Sequence, residues 1–156
     1  MARDKYGASR WAGSGRGYLH LSHELLHSEA YRGLSANGKA LLIACMMEAW
    51  SVTFQPEHER PFIEKPDGEK ERGAFWFTMN RGKWSDKYGI FPKASQHQAY
   101  NTINELIEAG FICRVMSGAV GRTSSIYRMS GRWKDNKNDH RDGNSIMCAG
   151  EAQGQS

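Results

Sequence analysis

The chain is predicted to adopt a small α+β fold, with helices first and a β-hairpin last, and three observations carry that prediction. Two segments ahead of residue 50 have apolar residues at helical spacing. A third, over 95–109, is two-sided and closes on Gly110. Two alternating apolar stretches follow it, separated by a turn-rich loop. With 156 residues, 39% of them apolar and 24% charged, the chain is long enough for one domain with a core of its own.

The first patterned segment is Tyr18 to Leu21, short enough to be a strand or an extended lead-in. Ser22 is placed to cap a helix from His23 to about Leu34, with Leu25, Leu26, Ala30 and Tyr31 at helical spacing. Ser35 is placed to cap the next helix. Its run Ala40 to Met47 is apolar on almost every face, as expected of the buried centre of a small domain. Three of the four prolines and alternating charges lie between Trp50 and Ala74, a composition that breaks helices and strands and predicts a long exposed loop or insertion at about 54–73. Phe75, Trp76 and Phe77 are β-prone and are expected to pair with later strands.

From Asn80 onward the pattern becomes specific. Asn80 can cap a short helix that contains Trp84 and Tyr88 and ends at Gly89. After the turn Ile90 to Ala94, Ser95 can cap a helix of about 14 residues running to Ala109. At roughly 100° per residue, Ala99, Tyr100, Ile103, Leu106 and Ile107 share one face. The other face carries His97, Gln98 and Asn101 first, and Glu105 and Glu108 only later. Such a helix suits entry into a major groove N-terminus first, with amide and imidazole groups at base edges and carboxylates kept from phosphate. Phe111–Met116 and Ser125–Met129 then read as a hairpin with a basic tip at Arg122. Helix, turn, helix and hairpin in this order form a winged helix: a helix-turn-helix core with a C-terminal β-hairpin wing.

The carrying residues are LSHELLHSEAYRGLSANGKALL, YGI, NTINELIEAGFICRV and SSIYRMSGRW. In these the chain resembles the winged-helix DNA-binding proteins of phages, plasmids and integrated mobile elements, including phage-type replication protein domains. The resemblance covers about residues 18–133 and departs from the family at the 54–73 loop and at the extra residues Phe91 to Ala94. It implies a DNA-binding domain over 18–133, flanked by a basic tail at 1–17 and a second tail at 134–156, both expected to be mobile.

Charge agrees with a polyanionic partner. Residues 1–80 hold 10 basic and 10 acidic side chains, whereas 81–141 hold 11 basic against 5 acidic. The expected base contacts are Gln96, His97, Gln98 and Asn101. The expected phosphate contacts are Arg81, Lys83, Lys87, Lys93, Arg114, Arg122 and Arg128. Trp84 and Tyr100 are expected in the core rather than as stacking platforms. The reading is a non-enzymatic double-stranded DNA-binding protein, a transcriptional regulator or replication-associated factor of a mobile element. It needs no cofactor, and its further partners would be a second copy or a replication or transcription protein.

Two other readings compete. A winged helix can serve as a protein-docking module, with the 54–73 loop as the contact. His23-Glu24-x-x-His27 matches a zinc hydrolase motif, but nothing in the pattern nominates a third ligand. Gly13 to Gly17 lacks the lysine and apolar helix of a phosphate loop. Cys45, Cys113 and Cys148 are odd in number and widely spaced, and read as reduced thiols. The basic N-terminus has no apolar stretch of the secretory kind and no apolar run approaches a membrane span, so a cytoplasmic, nucleoid-associated protein is expected.

Overall fold

The computed structural model of the protein describes residues 19–73, 75–118 and 124–135. The N-terminal tail, residues 136–156 of the C-terminal one, Trp11, Cys148 and Arg122 lie outside the described residues; Lys134 and Asp135, expected in the mobile tail, instead belong to a 3-10 turn, Arg132–Asp135, from which Lys134 reaches Glu24 at 3.4 Å.

Ser22 accepts a hydrogen bond from the Leu25 amide at 3.1 Å and opens helix α1, His23–His27. The single helix expected over His23 to Leu34 is two. Ser28 takes extended backbone angles, donates its hydroxyl to the Leu25 carbonyl at 2.7 Å and accepts from the Tyr31 amide at 3.1 Å. One serine therefore closes α1 and opens α2, Glu29–Arg32, through the local hydrogen bonds by which this residue type competes with helix. Leu25, Ala30 and Leu34 are buried.

Ser35 caps α3, Ala36–Ser51, as expected, accepting from the Gly38 amide at 3.0 Å. Leu41, Leu42, Cys45 and Ala49 drive its inner face into the core. The expectation of a helix buried all round is corrected, because Ala36, Ala40, Ile43 and Met47 are exposed on the other side.

The proline-rich segment is more ordered than its composition suggests. Short 3-10 turns at Val52–Phe54 and Glu57–Glu59 lead into β1, Ile63–Glu64, which pairs antiparallel with β2, Lys70–Glu71. The Gly68 amide donates to the Lys65 carbonyl at 2.8 Å and closes this hairpin, which stands apart from the main sheet.

Next comes β3, Phe77–Thr78, then a π-helical turn, Gly82–Lys87, helix α4, Gln96–Glu108, and strands β4, Ile112–Met116, and β5, Ile126–Met129. The sheet order is β3-β5-β4, all antiparallel, with Phe77 opposite Tyr127 and Ile112 opposite Met129. A long helix followed by a paired hairpin is thus the mixed α+β arrangement expected, and β3 is the aromatic segment expected to pair with later strands. Trp84, Phe77, Tyr127, Phe111, Leu41, Ile103 and Leu106 fill the core where α3, α4 and the sheet meet. After β5, Trp133 stacks on Phe111 with ring centres 5.8 Å apart.

Gly89 and Gly110 have φ of 62° and 85°, so both helix ends expected from glycine are present. At Gly110 the constraint is double. A Cβ there would lie 2.7 Å from the Trp133 amide nitrogen and 2.9 Å from the Arg132 carbonyl carbon. Cys45 is a buried free thiol whose pKa is pushed up by burial and, secondarily, by the Glu48 charge. Cys113 is disulfide-bonded, which corrects the reading of three reduced thiols.

Candidate nucleic-acid interface

Helix α4 owes its orientation to two anchors. Its buried face, Ala99, Thr102, Ile103, Leu106 and Ile107, packs into the core. Glu105 then crosses to α3, accepting from the Ser35 amide at 2.6 Å and from the Ser35 hydroxyl at 2.8 Å. A carboxylate at the first turn of α3 also meets the positive end of that helix dipole. The helical pattern places Glu105 with Glu108 on the far half of the polar face. Its partner is 70 residues away, and no local pattern announces such a bond. Ser95 makes no side-chain cap to α4, contrary to expectation; its backbone carbonyl accepts from the Ala99 amide at 3.1 Å.

Gln96, His97, Gln98 and Asn101 are all exposed, so the four residues expected to meet base edges do line the outward N-terminal half of α4. Asn104 is exposed as well and continues the ridge of His97 and Asn101 at i+7 and i+3. The Arg114 guanidinium donates to it at 3.4 Å. Sequence reading passed over Asn104, although its spacing from Asn101 was available. Tyr100, expected in the core, is 44% exposed. Its ring meets Trp84 in a T-shaped contact, with ring centres 5.5 Å apart.

The basic residues divide into two groups. Arg81 is exposed at the start of the π-helical turn, and Lys93 is exposed just before α4 with Asp86 at 3.2 Å. Arg114 and Arg128 stand on β4 and β5, half-buried, with the Arg114 guanidinium over the Tyr127 ring. Lys83 and Lys87 instead turn inward to Glu48 of α3, a carboxylate only 3% exposed. Lys83 Nζ lies 2.7 Å from that carboxylate and also donates to the Thr78 carbonyl at 2.7 Å. The Tyr88 hydroxyl completes the cluster at 2.7 Å. Burial on its own would raise the Glu48 carboxyl, but hydrogen bonds from Lys83, Lys87 and Tyr88 hold it below the ordinary value. The Tyr88 phenol is pushed up, first by burial and then by donating to Glu48.

This cluster explains why the turn is π-helical. The wider winding, with the Tyr88 amide reaching the Lys83 carbonyl at 2.9 Å, carries Trp84 into the core while Lys83 and Lys87 both reach Glu48. Lys83 is therefore a tie between the turn and α3, with its ammonium fully engaged inside the molecule. Lys87 keeps more than half of its side chain exposed while holding the same carboxylate.

His23 and His27 lie on a helix of five residues, stacked with ring centres 5.9 Å apart. Among the described residues no group of three or more His, Cys, Asp or Glu side chains is arranged to hold a metal ion, so the H-E-x-x-H motif finds no third ligand there. No described helix is long and apolar enough to cross a membrane. Comparison with known proteins finds no matching family model, no similar curated protein and no similar solved structure.

Proposed function

We propose that the protein is a non-catalytic winged-helix module that binds double-stranded DNA, with α4 as the helix that enters the major groove. The observation that carries this reading is the outward N-terminal half of α4: Gln96, His97, Gln98 and Asn101 are exposed and uncharged, while the apolar side of the same helix is buried. Side chains of this kind form paired hydrogen bonds to base edges. The succession β3, π-helical turn, α4, β4, β5 with sheet order β3-β5-β4 supports the winged-helix assignment, since the hairpin then flanks the reading helix. Arg81 and Lys93 are exposed cations ahead of it in the chain, and Arg114 and Arg128 belong to the hairpin. These four, with Arg122 between β4 and β5 in the sequence, are the proposed phosphate contacts; Lys83 is not among them and Lys87 is secondary. The biological role that fits is regulation or replication of a mobile element.

The test is binding to mixed duplex DNA by fluorescence anisotropy across a salt series, followed by selection from a random duplex pool. Binding whose log affinity falls linearly with log salt, together with enrichment of one sequence, is the expected result. Absence of binding at low salt overturns the proposal and leaves the fold as a protein-docking module.

A further inference from the structure

A cavity of about 580 Å³ lies between α3, the entry to β3, β5 and the segment that follows β5, and no residue of α4 lines it. This volume is in the range of small-molecule sites. Its wall holds three aromatic rings, Trp50, Phe75 and Trp133, together with the thioethers of Met46 and Met129. Two of the rings are fixed by aromatic neighbours. Trp50 meets Phe54 edge-on at 4.6 Å, and Trp133 stacks on Phe111. The third is held by the backbone. Phe75 has a φ of 61°, alone in being positive among the described residues other than glycine. That conformation is disfavoured for a bulky side chain. It is braced by Gly73, where a Cβ would lie 1.9 Å from the Trp76 ring. Burial does not offset the strain, because Phe75 is 51% exposed. What the conformation achieves is to set a third ring in the cavity wall, and strained backbone is characteristically retained where a ligand is clamped.

The polar part of the wall is small and of one sign. Arg128, half-buried on β5, lines the cavity with Ser130 and the exposed His20, and among the described residues no carboxylate does. Ser130 Oγ accepts from the Arg132 amide at 3.3 Å, so toward a ligand its hydroxyl is a donor. From this we propose that the cavity binds a flat aromatic carboxylate, with its rings against Trp50, Phe75 and Trp133 and its carboxylate on Arg128 and Ser130. Three rings and two thioethers suit a polarisable aromatic body better than a saturated chain. A neutral ring system of the same shape forfeits the charge-assisted hydrogen bonds that a guanidinium gives a carboxylate, and these are about twice as strong as neutral ones. Apolar walls around that contact lower the local dielectric and strengthen it further. The proposal does not rest on DNA binding. Arg128 is the one residue it shares with the proposed phosphate contacts, and the ridge of α4 has no part in it.

Isothermal titration calorimetry of the full chain, without DNA, tests it with naphthoate as the probe. Two compounds serve as references: naphthamide, the neutral amide of the same ring system, and decanoate, a saturated carboxylate. Naphthoate should bind once per chain with a Kd of about 100 µM. Naphthamide and decanoate should each bind more weakly by about tenfold or more. Arg128→Gln should bring naphthoate down to the affinity of naphthamide while leaving naphthamide unchanged, a split that a merely structural arginine would not give. Phe75→Ala should weaken naphthoate by about tenfold with the wild-type circular dichroism spectrum retained. Because Phe75 is exposed, this variant keeps the test decisive if Arg128→Gln fails to fold. Absence of naphthoate binding in the millimolar range overturns the proposal. So does naphthamide or decanoate binding as tightly as naphthoate, or naphthoate binding that Phe75→Ala leaves unchanged.

Discussion

Helices α3 and α4 pack together through apolar inner faces and are tied at one point by Glu105 and Ser35, yet their outer faces are chemically opposite. The outside of α4 is amide, imidazole and carboxylate; the outside of α3 is alanine, isoleucine, methionine and aromatic rings. Burial in a shared core accounts for both inner faces and for neither outer one. A polar, uncharged ridge suits a partner that is itself hydrated and hydrogen-bonding. The two outer faces therefore differ in the chemistry each presents to solvent.

The largest expected effects separate inner from outer. Leu41 and Ile103 are both fully buried, one on each helix. Leu41→Ala and Ile103→Ala should each lower stability by about 3–4 kcal/mol, from lost burial plus the cavity left behind. Met47→Ala and Gln98→Ala, on the two outer faces, should stay within about 0.5 kcal/mol. Denaturant titration checks all four, and a large loss at Met47 would erase the distinction between the faces of α3.

A slightly smaller effect is expected at Glu48, the one charged group on the inner side of α3. Glu48→Gln leaves Lys83 and Lys87 without their counter-charge and should destabilise by roughly 3 kcal/mol at neutral pH, as for breaking a buried pair. The sign of the pH dependence follows from the lowered carboxyl pKa. The contribution is fully present above the ordinary value of 4.5 and is lost as pH falls through the lower value of the folded state. Stability measured from pH 7 to pH 2 should therefore drop more steeply in the wild type than in Glu48→Gln. Parallel curves would show that the carboxylate contributes little.

On the outer face of α4 the expected losses are in binding. Asn101→Ala should relax base preference at one position by about 1–3 kcal/mol. Lys93→Ala should weaken all duplexes alike and reduce the slope of log affinity against log salt by about 1. Uniform weakening by Asn101→Ala would turn the ridge into a backbone contact and sharpen what the α4 face reads.

What was legible in the sequence is what local chemistry decides. Ser22 and Ser35 as caps, Gly89 and Gly110 as helix ends, the buried face of α4 and the hairpin after it all follow from neighbours within four residues or from simple alternation. The break at Ser28 was hidden because serine is tolerated inside helices, and only its two simultaneous hydrogen bonds to Leu25 and Tyr31 reveal a boundary. The exposure of Tyr100 was hidden because its helical angle is that of the buried face, while its ring only meets Trp84 in a T-shaped contact and stays 44% exposed. The inward turn of Lys83 and Lys87 was beyond reach, since Glu48 stands 35 or more residues away and a basic pair next to a proposed reading helix looks like a phosphate clamp. The outer face of α3 was written in the sequence throughout, but an apolar helix reads as core until the structure shows which side the core occupies.

The smallest expected effect is at the link between the two helices. Glu105 lies in the polar second half of α4, but its carboxylate meets the amide and hydroxyl of Ser35, so it belongs to the joint rather than to either outer face. The contact is solvent-accessible, and water can replace both bonds when the carboxylate is removed. Glu105→Ala should therefore lower stability by only about 1 kcal/mol. The larger consequence is geometric. Ser35 still caps α3 through the Gly38 amide, and α4 keeps its apolar anchors, but the angle between the helices loses its one polar tie. Amide hydrogen exchange should quicken in the last turn of α4 and the first turn of α3 and remain unchanged in the π-helical turn, which Glu48 holds independently. Faster exchange across all three would mean that the tie supports the whole core, and the outer faces could then no longer be treated as separable surfaces.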